Sequence, residues 1–275
     1  MNNYSGSHFK VRGTCDIVFL IDVSKSMASS INGIKDSVGK FFEDLQNKEI
    51  EPEVRWNCRA TVYGYRDFAV DGVDNWFVAN PFTRDPEEVR KQLDALVAFG
   101  GGDGPRDLLD ALHKIAEIGE SAKDDSVNFW KWRYHTQATR HVVVFTDATF
   151  HGCSEDGMEF VHRLASDSSK TGEDVVNAIL QNKLRVSIYA PDFSGFGWNG
   201  YAMLDHQVDT LEYEAIPIGP DNDPQRALAE FTGDKANFKK TLAQLAETFL
   251  TKCGANPCMA DTLDESDFLY FSSLL

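Results

Sequence analysis

The feature that most constrains this chain is an apolar segment, residues 15–22, which runs nearly uninterrupted and then ends in a carboxylate. Apolar side chains on both faces predict a strand that is buried on both sides, as in a parallel sheet. Similar segments recur at 59–65 and 141–146. Because a sheet of such strands must bury both faces, helices are expected on each side of it.

Segments with helical spacing alternate with these strands. Helices are predicted near 31–45, 86–96, 108–116, 172–182, 223–232 and 238–253, and further strands at 76–79, 184–189 and 213–218. The polar segment at 120–138 is expected to form a long excursion away from the sheet. Residues 191–212 contain turn residues and show no steady hydrophobic period. The alternation predicts an α/β fold: a doubly wound, mostly parallel six-stranded sheet with helices on both faces, similar to a Rossmann fold.

The charge balance limits the partners of this protein. The 275 residues carry a formal net charge of −16. Such a surface repels nucleic acid and anionic membranes, so neither is expected as a partner. Residues 1–12 lack an apolar signal core, and no segment approaches a membrane-spanning length. We therefore expect a cytoplasmic protein.

The cysteines point to a reducing compartment. Their number, five, is odd and their spacing is irregular, which does not resemble a disulfide framework. Cys15 and Cys58 lie in predicted buried strands, where cysteine packs as a small hydrophobic residue. We expect both to remain separate thiols.

Oxygen-bearing side chains collect at three loops of the predicted sheet. Asp22, Ser24 and Ser26 follow the first strand, Asp103 follows a run of three glycines, and Asp147 ends the strand at 141–146. Ligands of such sheets bind at the carboxyl ends of strands where the strand order reverses. Carboxylate and hydroxyl oxygens are hard donors, which favours magnesium, manganese or calcium over zinc.

Two other interpretations of these residues stay open. Ser24, Ser26 and Asp103 are also residue types that cap helix N-termini. Asp22 at a strand end resembles the nucleophile of an Asp-based phosphatase, but such sites usually carry a second acid two residues later, where this chain has Ser24. No nucleophile elbow, Walker loop or kinase motif set is present, so an enzyme is not expected.

These motifs resemble the von Willebrand factor A (VWA) domain family. The Asp22-x-Ser24-x-Ser26 pattern is similar to the opening motif of that family's metal-ion-dependent adhesion site, and Thr146-Asp147-Ala148 to its strand-end aspartate. The intracellular branch that includes the A domain of alpha-kinases is resembled more narrowly, over about residues 14–252. The motifs of that branch are Gly64-Tyr65-Arg66-Asp67-Phe68, Phe82-Thr83-Arg84-Asp85, Gly100-Gly101-Gly102-Asp103-Gly104-Pro105 and Asp147-Ala148-Thr149-Phe150-His151-Gly152.

The resemblance implies a set of metal ligands. Asp22, Ser24 and Ser26 would bind the ion, Mg²⁺ or else Mn²⁺ or Ca²⁺, with Asp147 next to it or linked through water. Asp103 stands where many A domains place a metal-binding threonine. Two positions depart from the family: Lys25 is often a small residue there, and Arg106 replaces an acid.

The resemblance also implies a function and a domain plan. We expect an N-terminal extension at 1–13, a VWA domain at 14–254 and an acidic, aromatic tail at 255–275. The domain would bind a partner protein that offers an Asp or Glu carboxylate to the ion, as a subunit of a larger assembly such as a bacterial regulatory or defence system. A structural VWA subunit without functional metal, or less favoured a metal-dependent phosphatase, is the alternative.

Overall fold

The computed structural model describes residues 10–47, 54–102, 104–123 and 128–251. A six-stranded sheet runs through the middle, in the order β3-β2-β1-β4-β5-β6. All neighbouring strands are parallel except β3, which pairs antiparallel with β2 at one edge. The strands are β1 Lys10–Asp22, β2 Val54–Tyr65, β3 Phe77–Val78, β4 Thr139–Phe145, β5 Leu184–Pro191 and β6 Leu211–Ile216.

Helices cover both faces of this sheet, which confirms the predicted fold class. The helices are α1 Ile31–Asn47, α2 Phe68–Asp71, α3 Pro86–Ala95, α4 Leu108–Ala116, α5 Gly172–Gln181, α6 Gly200–Gln207, α7 Pro224–Gly233 and α8 Lys235–Thr251. Alternate side chains of β1 point to opposite faces: Ile17 and Phe19 pack with α1, α3, α7 and α8, and Val18 and Leu20 pack with α4, α5 and α6. The sheet is therefore buried on both sides.

The order of the strands fixes the location of the functional edge. Strands β2 and β3 lie on one side of β1, and the chain then crosses over so that β4 lies on the other side of β1. The strand order therefore reverses between β1 and β4. A doubly wound sheet opens its ligand crevice at the carboxyl ends of those two strands, here at Asp22 and just after Phe145.

The region between β5 and β6 was predicted without a helix, and this prediction was wrong. Residues 200–207 form α6, which buries Tyr201 and Leu204. The helix has only eight residues and little amphipathic period, so its sequence signal is weak. Its stability comes from tertiary contacts, since the Tyr201 ring packs against the rings of Phe150 and Trp198 at centroid distances of 5.3 and 5.1 Å.

Cys15 and Cys58 are paired in a disulfide, which corrects the expectation of two separate thiols. They lie directly opposite each other in β1 and β2, with Cα atoms 4.7 Å apart. That distance lies within the range that disulfides bridge. The burial of both cysteines was predicted correctly. The register of β1 and β2, which places them opposite each other, could not be predicted from the sequence. The cytoplasmic location stays a prediction.

An ionic cluster fixes the long excursion to the start of β1. The carboxylate of Asp16, which is fully buried, accepts hydrogen bonds from Arg59 Nε and Nη2 at 2.9 and 2.6 Å. It also accepts from the backbone N–H and Nε of Arg133, both at 2.8 Å. Burial raises the pKa of Asp16, but the Arg59 hydrogen bonds and the Arg133 charge outweigh it, and the net pKa is lowered. The carboxylate thus stays ionised in the core.

The two tryptophans of this excursion have different environments. Trp132 is fully buried, and its Nε1 donates to the carbonyl of Ile115 at 3.1 Å. Trp130 is exposed. Trp132 therefore packs beneath the excursion, whereas Trp130 lies on its surface.

The Asp16 cluster yields a stability prediction. In an Asp16→Asn variant two buried guanidinium groups would lose their counter-charge, and removal of one partner from a buried ionic group typically costs about 3–5 kcal/mol. We expect the free energy of unfolding in urea to fall by that amount. The matched control is Asp221→Asn, which removes an exposed ion pair with Arg226 and should change stability by less than about 1 kcal/mol. Equal effects of the two substitutions would contradict the assignment.

Candidate metal centre

The last residue of β1, Asp22, lies at the centre of the predicted site. Its side chain is fully buried. Oδ1 accepts a hydrogen bond from the backbone N–H of Ser24 at 2.8 Å, and Oδ2 accepts one from Thr146 Oγ1 at 2.8 Å. The first bond holds the turn out of β1, and the second bond joins the ends of β1 and β4. Both oxygens keep further lone pairs that a cation can use.

The hydroxyls of the first loop connect Asp22 with Asp147. The Ser24 and Ser26 hydroxyl oxygens lie 3.0 Å apart, and Ser26 Oγ donates to Asp147 Oδ1 at 2.8 Å. Asp147 Oδ2 is buried and accepts no hydrogen bond from any described residue. Four of the five predicted site residues therefore lie in one cluster. The fifth, Asp103, lies outside the described residues.

The triple-glycine loop packs directly on this cluster. The carbonyl of Gly100 accepts from the backbone N–H of Lys25 at 3.1 Å, and the N–H of Gly101 donates to Asp71 Oδ2 at 2.8 Å. Gly101 has a φ of 83°, and a Cβ atom there would overlap the Cβ of Ser24. Glycine is required because both the left-handed backbone and the close approach exclude a side chain.

The surroundings of Asp22 and Asp147 disfavour the ionised form of both side chains. Burial and the charge of Asp22 raise the pKa of Asp147 to about 7. Burial likewise raises the pKa of Asp22, against the hydrogen bonds that it accepts. Two acids held in a low-dielectric site are costly to ionise unless a cation is near. The donor set is therefore suited to a bound cation.

Arg106 brings a positive charge to the same cluster. Its side chain is buried, Nη1 donates to the carbonyl of Gly104, and Nε has no hydrogen-bond partner among the described residues. Its charge lowers the pKa values of Asp22 and Asp147, but less than burial raises them. Arg106 departs from the family pattern, but its position beside the two acids is not evident from the sequence.

Arg66 holds the loops around the cluster and forms no ion pair with Asp67. Its Nε donates to the carbonyls of Val23 and Phe99 at 3.1 and 3.0 Å, and Nη2 donates to the carbonyl of Val97 at 3.0 Å. Four loop segments meet here, since Nη1 also donates to the carbonyl of Asn75. Arg66 is a positioning residue that motif reading alone did not identify.

The acidic side chains of the cluster alone offer few ligands for a metal ion. Within the described ranges no group of three or more His, Cys, Asp or Glu side chains has a geometry that could hold an ion. A metal here would need the serine hydroxyls together with the carboxylates. The cluster opens into a cleft of about 490 Å³, whose lining includes Lys25, Ser26, Arg106 and Asp147.

A curated relative and several solved structures are similar to this chain. The alpha-protein kinase vwkA of Dictyostelium discoideum is 27% identical over 143 residues, which cover 52% of this chain and 20% of that protein. The chain thus spans about a fifth of the length of the curated relative it matches. No described helix is long and apolar enough to cross a bilayer.

Two solved structures are similar to this chain at low identity. The pilus adhesin SpaC of Lactobacillus rhamnosus GG is 12% identical with a TM-score of 0.47, over 84% of this chain and 31% of the adhesin. Proximal thread matrix protein 1 of the mussel byssus is 11% identical with a TM-score of 0.49, over 85% of this chain and 49% of the matrix protein.

The family model gives the identification. The model of the von Willebrand factor type A domain matches residues 16–192, which is more than half of the chain. The match begins in β1 and extends just past β5, so it includes both strand ends that form the cluster. The chain therefore belongs to the von Willebrand factor type A domain family.

Proposed function

We propose that this domain binds a partner protein through a divalent cation held by Asp22, Ser24 and Ser26, with Asp147 beside it. The observation that carries the proposal is the buried Oδ2 of Asp147, which has no hydrogen-bond partner among the described residues and lies next to a second buried carboxylate. When bound, Mg²⁺ supplies positive charge and a coordination position for a carboxylate of the partner. Asp103 stays a predicted further ligand.

The residues of the chain would share this task in a defined way. Thr146 holds Asp22 by the hydrogen bond to Oδ2, and Ser26 holds Asp147 by the bond to Oδ1. Oxygen ligands are thereby fixed before an ion arrives, which lowers the entropic cost of binding. Membership of a larger assembly and a cytoplasmic location stay predictions.

Exposed apolar residues near the cluster support a protein partner over a small anion. They are Val70 in α2 and Val97 and Phe99 in the loop after α3. Arg66 fixes this loop through the carbonyls of Val97 and Phe99, and its guanidinium lies 3.7 Å from the Phe99 ring centroid. Exposed apolar residues around a polar centre are typical of interaction surfaces.

One alternative has a specific observation in its favour. Arg106 already supplies positive charge to Asp22 and Asp147. In an interaction module without metal, the Arg106 guanidinium would be the only cation in the described part of the chain that compensates the charge of Asp22 and Asp147. The two functions differ in whether the purified protein binds magnesium.

A phosphatase is less well supported by the geometry. A nucleophilic aspartate must reach the phosphorus of its substrate, but Asp22 is fully buried and both of its oxygens accept hydrogen bonds. Ser24, two residues later, is also fully buried and supplies no general acid.

The central prediction concerns magnesium binding. We expect isothermal titration calorimetry to show one Mg²⁺ or Mn²⁺ per chain, and Ser26→Ala to weaken binding by about tenfold or more, since it removes a ligand and frees Asp147. Ser29→Ala is the matched control, because Ser29 is exposed in the 3-10 helix that also contains Ser26. No heat of binding with the unsubstituted chain would overturn the proposal and favour the metal-free module.

A second prediction concerns Arg106. Arg106→Gln removes a positive charge that opposes a bound cation, and we expect magnesium affinity to rise by about tenfold, equivalent to about 1.4 kcal/mol. Lys25→Gln is the comparison: Lys25 is exposed beside the same cleft, so solvent screens its charge and the effect should be smaller. A loss of affinity in Arg106→Gln, with the fold intact by circular dichroism, would contradict this role.

A third prediction separates binding from catalysis. We expect no turnover of p-nitrophenyl phosphate by the chain at saturating Mg²⁺, because no described group of the cluster can act as a reachable nucleophile. Release of p-nitrophenol that disappears in Asp22→Asn would establish the phosphatase instead.

A further inference from the structure

An open groove lies between α1 and α8, on the face of the sheet that those helices cover. Its volume is about 600 Å³. The apolar part of its lining consists of Phe41 and Leu45 from α1 and of Leu242, Ala243 and Ala246 from α8. The side chains of the two alanines are too small to fill the gap between the helices. Among the described residues, none lines both this groove and the candidate metal cleft.

Two aspartates, Asp36 and Asp44, and three lysines line this groove, so its lining is only slightly positive within a strongly acidic protein. The lysines are Lys40, Lys235 and Lys239, and all three are exposed. Each already lies near an acid of α1: Lys40 is 3.0 Å and Lys239 3.7 Å from Asp44, and Lys235 is 3.6 Å from Asp36. Exposed pairs of this kind are weak, and an ammonium group has three donors, so further carboxylates can be accommodated.

We infer that this groove holds the tail of the same chain, residues 259–271. That segment lies outside the described residues. Its first nine residues include four acids, its last four residues are large and apolar, and residues 253–275 contain no Lys or Arg. Acids beside the lysines and aromatic residues in the apolar part of the groove would match in chemistry. The acids are Asp261, Asp264, Glu265 and Asp267, and the apolar residues are Phe268, Leu269, Tyr270 and Phe271.

The length of the chain permits this return. Helix α8 ends at Thr251, and Phe268 lies 17 residues later. An extended chain of that length reaches about 56 Å. The distance back along α8 from Thr251 to Lys239 is only about 18 Å at the helical rise per residue. The tail can therefore turn at the end of α8 and pass along the groove with ample slack.

A segment of the same chain is favoured over a second copy. A tether of this length gives an effective concentration of roughly millimolar, whereas a second copy competes only at its bulk concentration. Approach of a second copy is also opposed by repulsion between two chains of net charge −16.

Cross-linking of the full chain tests this inference. A carbodiimide couples carboxylates to lysines in direct contact, and it is applied to an equal mixture of ¹⁴N-labelled and ¹⁵N-labelled protein. We expect mass spectrometry to find bonds from Lys239 or Lys235 to tail acids, with both peptides carrying the same isotope. Bonds between Lys40 and Asp44 serve as the internal positive control, because that pair lies at 3.0 Å.

Matched variants show whether the groove itself is used. Ala243→Gln fills the groove and should reduce the tail cross-links at least fivefold, as should the double change of Phe268→Ser with Phe271→Ser. Ala236→Gln is the control, since Ala236 is exposed on α8 and does not line the groove. Tail cross-links of mixed isotope would assign the groove to a second copy. Their absence, or equal yields in Ala243→Gln and Ala236→Gln, would also overturn the inference.

Discussion

The hydrogen bond from Thr146 to Asp22 is the contact on which the candidate site depends. It joins the ends of β1 and β4, the two strands between which the order of the sheet reverses. Because the sheet is parallel there, both strands deliver their last polar residues to the same edge. Asp22 and Asp147 come close as a direct result, and burial then makes both difficult to ionise. The chemistry of the site follows from the topology of the sheet.

Strand β1 carries a buried acid at each end of its core segment, and the two acids are treated oppositely. Asp16 accepts four hydrogen bonds from two arginines, and its pKa is lowered. Asp22 accepts hydrogen bonds from neutral donors, and the Arg106 charge lowers its pKa less than burial raises it, so the net pKa is raised. The negative charge of Asp16 is fully compensated by the two arginines, so this end of the segment has a structural role and needs no further ligand. The undercompensated end has the character of a functional site, since perturbed acids cluster where ligands bind.

The parts of the fold and site that could be predicted from the sequence are those written in local patterns. Apolar runs and helical spacing identified the six strands and most helices, and Asp22-x-Ser24-x-Ser26 marked the loop. The remainder depends on contacts between residues far apart in sequence: Ser26 meets Asp147 across 121 residues, and Arg133 meets Asp16 across 117. The disulfide required the register of β1 and β2, and α6 required its aromatic neighbours. No local period encodes any of these.

The replacements around the triple-glycine loop become coherent when the charges are considered together. Relative to the family pattern, an uncharged threonine becomes Asp103 and an acid becomes Arg106, so the two changes carry opposite signs three residues apart. Arg106 lies among Asp22 and Asp147 and partly compensates both. Under the proposed function, Asp103 would restore the negative charge that Arg106 offsets. The formal charge of the four side chains is then −2, which equals in size the charge of one divalent ion. A third site acid would therefore let this chain keep a buried arginine without excluding the cation.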